Sequence, residues 1–182
     1  MLKLSENPPI RLPSLTSVVE ATGEWWVAHT KARFEKAFAW DLLDRGIPYL
    51  LPMIPKLSVW KGRRRQSLVP LFSSYVFFCG GPDERYRALA TNRICQVIPV
   101  REREQFLAEL TAVERAIENG APLSFYPHLA VGRRCRIARG PLRGLEGTVV
   151  QANGVTHLVL HVSILGQGAV LETSADALES AD

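Results

Sequence analysis

PLFSSYVFFCG, residues 70–80, decides how the rest of this 182-residue chain is read. Tyr75, Val76, Phe77, Phe78 and Cys79 form an unbroken strand-favouring run, opened by Pro70 and closed by Gly80, Gly81 and Pro82. Successive side chains of a strand point to opposite faces, so Tyr75 and Phe77 share one face and Val76 and Phe78 the other. Both faces are apolar, and both need a cover. One arrangement buries the strand centrally, between two layers. The other leaves Tyr75 and Phe77 in an exposed aromatic patch for a partner.

The composition, 47% hydrophobic and 22% charged, is that of a folded chain with one or two small domains rather than a disordered one. The longest apolar runs, such as 155–165, are interrupted by His and Ser and are too short to span a bilayer. Residues 1–15 lack the continuous apolar core of a signal peptide, so a cytoplasmic protein without a membrane partner is expected. Cys79, Cys95 and Cys135 are odd in number, widely spaced and without a CxxC pair. That argues against a disulfide framework and a zinc site, and buried structural thiols are expected.

The net charge of +4 is modest but unevenly placed. No acidic residue lies between Asp44 and Asp83, where Arg45, Lys56, Lys61, Arg63, Arg64 and Arg65 all fall. A second cluster, Arg133, Arg134, Arg136, Arg139 and Arg143, meets no acid until Glu146. Such fields attract polyanions, or they simply keep a loop solvated.

In order, residues 1–22 carry Pro8, Pro9 and Pro13 and read as a flexible or extended leader. A strand over 24–30 precedes a helix over 31–45, with Thr30 as N-cap, Gly46 as stop, and Phe34, Ala37, Phe38 and Leu42 on its apolar face. A strand over 47–54 ends among prolines, a basic loop or hairpin fills 56–69, and the aromatic strand follows. Pro82 opens a short helix to residue 90, a strand covers 94–100, and the clearest helix spans 102–119 and ends at Gly120. The expected solution is an α+β domain over 23–120, helices packed on a mainly antiparallel sheet. APLSFYPH, 121–128, reads as a linker. Beyond it, over 129–182, short strands at 133–138, 145–152, 155–163 and 167–172 fit a small all-β barrel.

Residues 131–149, VGRRCRIARGPLRGLEGTV, run strand, Gly-Pro turn and glycine-spaced strand. This resembles a KOW motif of SH3-like barrels, and Ser163-Ile-Leu-Gly166 resembles the C-terminal domain of the NusG family. Trp25-Trp26-Val27, His29-Thr30-Lys31, Glu35-Lys36, Gly46-Ile47, Leu51-Pro52, and Pro70-Leu71-Phe72 with Tyr75-Val76-Phe77 resemble that family's N-terminal (NGN) domain in order and spacing. The resemblance covers about residues 24–179 and is nearest to a specialised, RfaH-like paralogue.

The resemblance implies a transcription elongation or antitermination factor, monomeric and cofactor-free. Its N-terminal domain would grip the clamp coiled coil of RNA polymerase through Phe72, Tyr75 and Phe77, and reach the facing wall through Arg85, Tyr86 and Arg87. On this reading Tyr75 and Phe77 face outward while Val76 and Phe78 form core. Lys31, Arg33, Lys61, Arg63, Arg64 and Arg65 would contact upstream or non-template DNA through phosphates. The family often carries Thr-x-Arg-Gly before the 94–100 strand, where this chain has Thr91-Asn92-Arg93-Ile94. The barrel would recruit a small-subunit ribosomal protein or Rho through Leu142, Ile164 and Leu165, the last two being equally placed to be barrel core.

An enzyme finds no support: the chain has no phosphate-binding glycine loop and no GxSxG. His157 and His161 are spaced like a metal pair, but four residues of strand span about 13 Å, too far for one ion. A housekeeping NusG is the alternative within the family, and a ribosome- or RNA-binding KOW protein the alternative outside it.

Overall fold

The structure, a computed structural model, describes residues 6–60, 62–128, 131–152 and 154–181, with the side chains of residues 60 and 63 outside the description. The chain divides into two compact units, Met1–Arg103 and Glu104–Asp182.

In the first unit β1 (Glu24–Thr30), α1 (Glu35–Asp44), β2 (Tyr49–Leu50), β3 (Met53–Trp60), β4 (Arg63–Pro70), β5 (Tyr75–Gly80), α2 (Pro82–Leu89) and β6 (Ile94–Pro99) follow one another. Four strands make a sheet in the order β2-β5-β1-β6. β1 is antiparallel to both its neighbours, with Val27 opposite Phe77 and Ile98. One face packs on the two helices: Ala28, Val76 and Phe78 meet Phe38, Ala39 and Leu42 of α1 and Ala88 of α2 in one apolar cluster. Burying each such side chain is worth roughly 1.5–3 kcal/mol.

Several elements depart from the sequence reading for definable reasons. α1 starts at Glu35 and not after Thr30. The amide of Thr30 donates to the Ser74 carbonyl and that of Lys31 to Arg93, both at 2.8 Å, so sheet bonding persists past the expected cap. Arg33, at φ +67°, makes the turn before the helix can begin. Phe34, expected on the apolar face, is 37% exposed. The strand expected over 47–54 is split into β2 and the first residues of β3, because Pro48 and Pro52 have no N–H to give a ladder. Instead their carbonyls accept the amides of Cys79 and Leu71 at 2.8 Å. β3 and β4 form a hairpin of their own, registered from Met53 opposite Pro70 to Trp60 opposite Arg63.

From residue 6 on, the stretch expected to be a flexible or extended leader is packed, and it turns through a 3-10 helix at Val18–Glu20. Leu51 N–H donates to the Ile10 carbonyl at 2.7 Å, Arg11 bridges Leu50, and the Tyr49 hydroxyl donates to the Pro9 carbonyl at 2.9 Å. Val18 and Ala21 are buried. Of the cysteines, Cys79 and Cys135 are buried, and burial pushes the Cys79 thiol up from its ordinary value. Cys95 is exposed, contrary to expectation, because β6 is an outer strand.

The second unit holds α3 (Arg103–Glu118, from its second residue on), β7 (Ser124–Tyr126), β8 (Arg133–Ile137), β9 (Glu146–Ala152), β10 (Val155–Val162), β11 (Gln167–Glu172) and β12 (Leu178–Ser180). The strands form one antiparallel sheet in the order β12-β8-β9-β10-β11-β7. Leu158, Val159, Leu160 and Val162 of β10 are buried in its centre with Ile137, Leu145, Ala169 and Leu171. Gly147 is obligatory: a Cβ there would lie 2.5 Å from the Val159 carbonyl oxygen. Two strands escaped the sequence reading. β7 lies inside the stretch read as linker, where Ser124, Phe125 and Tyr126 pair with Val170, Ala169 and Gly168, and β12 pairs with β8.

Candidate functional site

β5 is held at its start by the loop over residues 71–74. Ser74, at φ +66°, donates its amide to Glu35 Oε1 at 2.7 Å, and the Tyr75 amide reaches the Phe72 carbonyl at 3.2 Å. Glu35 is itself buried at the head of α1, so loop and helix are locked together. Directly opposite residues of an antiparallel pair share a face. Trp25 with Cys79, Val27 with Phe77 and His29 with Tyr75 therefore line the face away from α1 and α2.

That register corrects the expected patch. Phe77 is 0% and Phe72 1% exposed, their rings meeting edge-on with centroids 6.2 Å apart. β5 is a central strand buried on both faces, as the first of the two arrangements had it. Of the three aromatic residues expected to grip the polymerase, only Tyr75 reaches the surface, half-buried. Its ring stacks on His29 at 5.1 Å and 26°. On the next strand the exposed Gln96 lies opposite His29. A row of Tyr75, His29 and Gln96 thus crosses the end of the sheet. His29 and Gln96 were missed as site residues, since only the strand register reveals them.

The same end of the sheet carries Lys31 and Arg33, both exposed, in the turn after β1. Arg93, bonded through its carbonyl to Lys31, donates from Nε to Asp41 Oδ2 at 2.8 Å and stands over the Phe34 ring at 5.2 Å. Its cation is already engaged. Lys36 donates to Asn7 Oδ1 and the Leu68 carbonyl, each at 2.5 Å, and burial pulls its ammonium below its ordinary value.

Arg85, Tyr86 and Arg87 lie on α2, which follows the far end of β5. The five residues of β5 beyond Tyr75 separate them from it by roughly 17 Å of sheet. Arg85 stands over the Trp26 ring at 5.2 Å, Arg87 donates to the Arg45 carbonyl at 2.7 Å, and Tyr86 is 73% exposed. The two expected polymerase-facing sets are therefore not one patch.

The hairpin carries Arg64 and Arg65, both exposed. Lys61 lies outside the described residues, and of Arg63 only the backbone is described. Leu57 and Val59, on the same hairpin, are 74% and 70% exposed. Cations with exposed aliphatics on an arm free of acids can contact a polyanion through both charge and apolar surface.

In the second unit Leu142 sits in the turn between β8 and β9, and Ile164 and Leu165 in the single 3-10 turn after β10. All three are half-buried, neither core nor fully free. His157 and His161 are both on β10, and among the described residues no group of three potential ligands could hold a metal ion. Burial pulls the His161 imidazole below its ordinary value, Glu109 opposing. No described helix is long and apolar enough to cross a membrane.

The family model described as NusG, transcription termination factor nusG, matches residues 23–114. No curated protein matches the chain.

Proposed function

The chain belongs to the NusG family, and from that we propose that it is a transcription elongation or antitermination factor that binds bacterial RNA polymerase and catalyses no reaction. Tyr75, stacked on His29, is the direct contact to the clamp coiled coil, and Phe72 and Phe77, packed edge-on in the core, support the strand that carries it. The matched stretch contains this whole arrangement, and that observation carries the reading. Arg85, Tyr86 and Arg87 serve a separate contact, on the facing wall. Lys31, Arg33 and the hairpin cations Lys61, Arg63, Arg64 and Arg65 bind phosphates of the upstream or non-template DNA, positioning the protein without reading sequence. Bridging two sides of the polymerase cleft favours the closed clamp over paused states, by as much as the factor binds one state better than the other.

Residues 129–182 are the KOW barrel of a specialised, RfaH-like paralogue, recruiting a small-subunit ribosomal protein or Rho through Leu142, Ile164 and Leu165. Its support is the glycine-dependent strand pair of β8 and β9, with Gly147 against β10.

The test is binding of the full chain to purified core RNA polymerase, with Tyr75→Ala as the paired variant. The wild type binds, and the variant binds at least tenfold more weakly with an unchanged unfolding transition. Binding to ribosomal subunits and not to polymerase overturns the reading in favour of a ribosomal KOW protein.

A further inference from the structure

Residues 6–22 precede the stretch that the family model matches, yet they are bonded into the first unit, and two of these bonds fall at the root of the basic hairpin. The Ile10 carbonyl accepts the Leu51 amide at 2.7 Å, just before β3 begins at Met53. Asn7 Oδ1 accepts the Lys36 ammonium at 2.5 Å, and the same ammonium donates to the carbonyl of Leu68 on β4, also at 2.5 Å. Lys36 thus ties the leader and α1 to the returning strand of the hairpin. Ile10 and Leu68 also pack on one apolar cluster, the core beneath α1. Each strand of the hairpin is therefore held by the leader near the point where it leaves the domain. A two-stranded sheet is marginally stable at best alone, and among the described strands β3 and β4 pair only with each other. From Met53 to Trp60 the hairpin runs roughly 23 Å, so a pivot of about 10° at its root moves its end roughly 4 Å. Successive phosphates of one DNA strand are about 3.4 Å apart along the helix axis, so that pivot takes a cation from one phosphate to the next.

We infer that the leader is a brace that fixes the direction of the hairpin, and that Asn7 and Lys36 are positioning residues for the hairpin's contact with a nucleic-acid strand. The nucleic-acid part rests on the role proposed above for Arg64 and Arg65. Lys36 suits a bridge better than a phosphate contact. An ammonium has three donors, enough for Asn7 and Leu68 together. Both of those acceptors are neutral, and burial already works against the charge. The exposed cations, Arg64 and Arg65, sit farther out on the arm that Lys36 holds at its base.

The first experiment reads the hairpin's direction in the full chain, without nucleic acid. Spin labels on the exposed Cys95 of β6 and on Val59→Cys of β3 give the sheet-to-hairpin distance by double electron–electron resonance, Cys79 and Cys135 being buried. The brace predicts one narrow distance distribution, broadened about twofold by Asn7→Ala and by Lys36→Met. Asn7→Asp, which keeps the accepting oxygen, restores the narrow distribution. The double variant is no broader than Lys36→Met alone, because both substitutions cut one link. Unchanged widths in the two single variants overturn the brace. Broadening that comes with a lowered unfolding midpoint of the whole unit overturns it too, since the link then supports the domain and not the hairpin's direction.

Binding of a single-stranded oligothymidine to the unlabelled proteins reads the consequence. Asn7→Ala keeps every cation, yet the brace predicts binding about tenfold weaker than wild type, or about 1.4 kcal/mol. Tighter binding by Asn7→Ala means that the leader withholds Lys36 from phosphates, and equal affinities mean that the hairpin finds its strand without the leader; either result overturns the positioning role. If Arg64→Ala with Arg65→Ala leaves the affinity unchanged, the nucleic-acid role of the hairpin falls instead. The distance distributions alone then decide whether the leader sets its direction.

Discussion

Replacing Phe77 by alanine separates the two readings of the aromatic strand. Phe77 is fully buried at the middle of β5, opposite Val27, and meets Phe72 edge-on. Truncating a buried phenylalanine costs about 3–5 kcal/mol, through lost transfer energy and the cavity left behind. A domain of this size holds only about 5–15 kcal/mol in total. With a urea dependence of about 2 kcal/mol/M, the loss moves the unfolding midpoint down by roughly 2 M. All four tryptophans, at positions 25, 26, 40 and 60, belong to the first unit, so their fluorescence reports its unfolding. Tyr75→Ala, at a half-buried position, shifts the same midpoint by less than about 0.5 M, since it removes only part of a buried side chain. A Phe77→Ala protein that unfolds at the wild-type midpoint, with an unchanged slope, refutes the placement of Phe77 in the core. It would restore the exposed patch of Tyr75 and Phe77.

Gly147→Ala forces a Cβ against the Val159 carbonyl oxygen and destabilises the second unit by about 1–3 kcal/mol or more. Thermal unfolding by far-ultraviolet circular dichroism records an earlier transition, while the tryptophan signal of the first unit stays in place. Removing both hairpin arginines, Arg64→Ala with Arg65→Ala, weakens single-stranded DNA binding alike for all sequences. It also lowers the slope of log affinity against log salt by about 1.4, from roughly 0.7 per phosphate contact; an unchanged slope shows that neither touches a phosphate. Tyr49 is buried, and its phenol is pushed far above its ordinary value. The unfolded chain therefore releases that proton first, and stability holds below about pH 10 and falls as pH rises beyond it. Tyr49→Phe abolishes this part of the alkaline slope, measured by urea titration at successive pH values.

Where periodicity and punctuation act locally, the sequence was readable. Gly81 and Pro82 do open α2, with Glu84 accepting the Gly81 amide at 2.9 Å, and Gly120 does close α3. The strands β8 to β11 follow the alternation and glycine spacing of their residues. What escaped depends on partners far along the chain. The helix after β1 was placed four residues early because Thr30 looks like a cap, and only the bonds to Ser74 and Arg93 keep it in the sheet. β7 is three residues between prolines and exists because β11 offers it an edge. The candidate site suffered most. Tyr75 and Phe77 share a face by alternation, yet one is half-buried at the sheet end and the other fully buried at its centre. Their position along the strand, which alternation does not encode, decides which of them a partner can reach.

The packed leader has a consequence for the order in which this protein is made. Pro9 waits for the hydroxyl of Tyr49, 40 residues later, and Ile10 for the amide of Leu51. At about 5–20 residues per second, roughly 2–8 seconds of synthesis separate the two halves of each bond. Throughout that interval the leader has no place to settle. It is among the first of the described residues to leave the ribosome, and it docks only once Tyr49 and Leu51 have emerged.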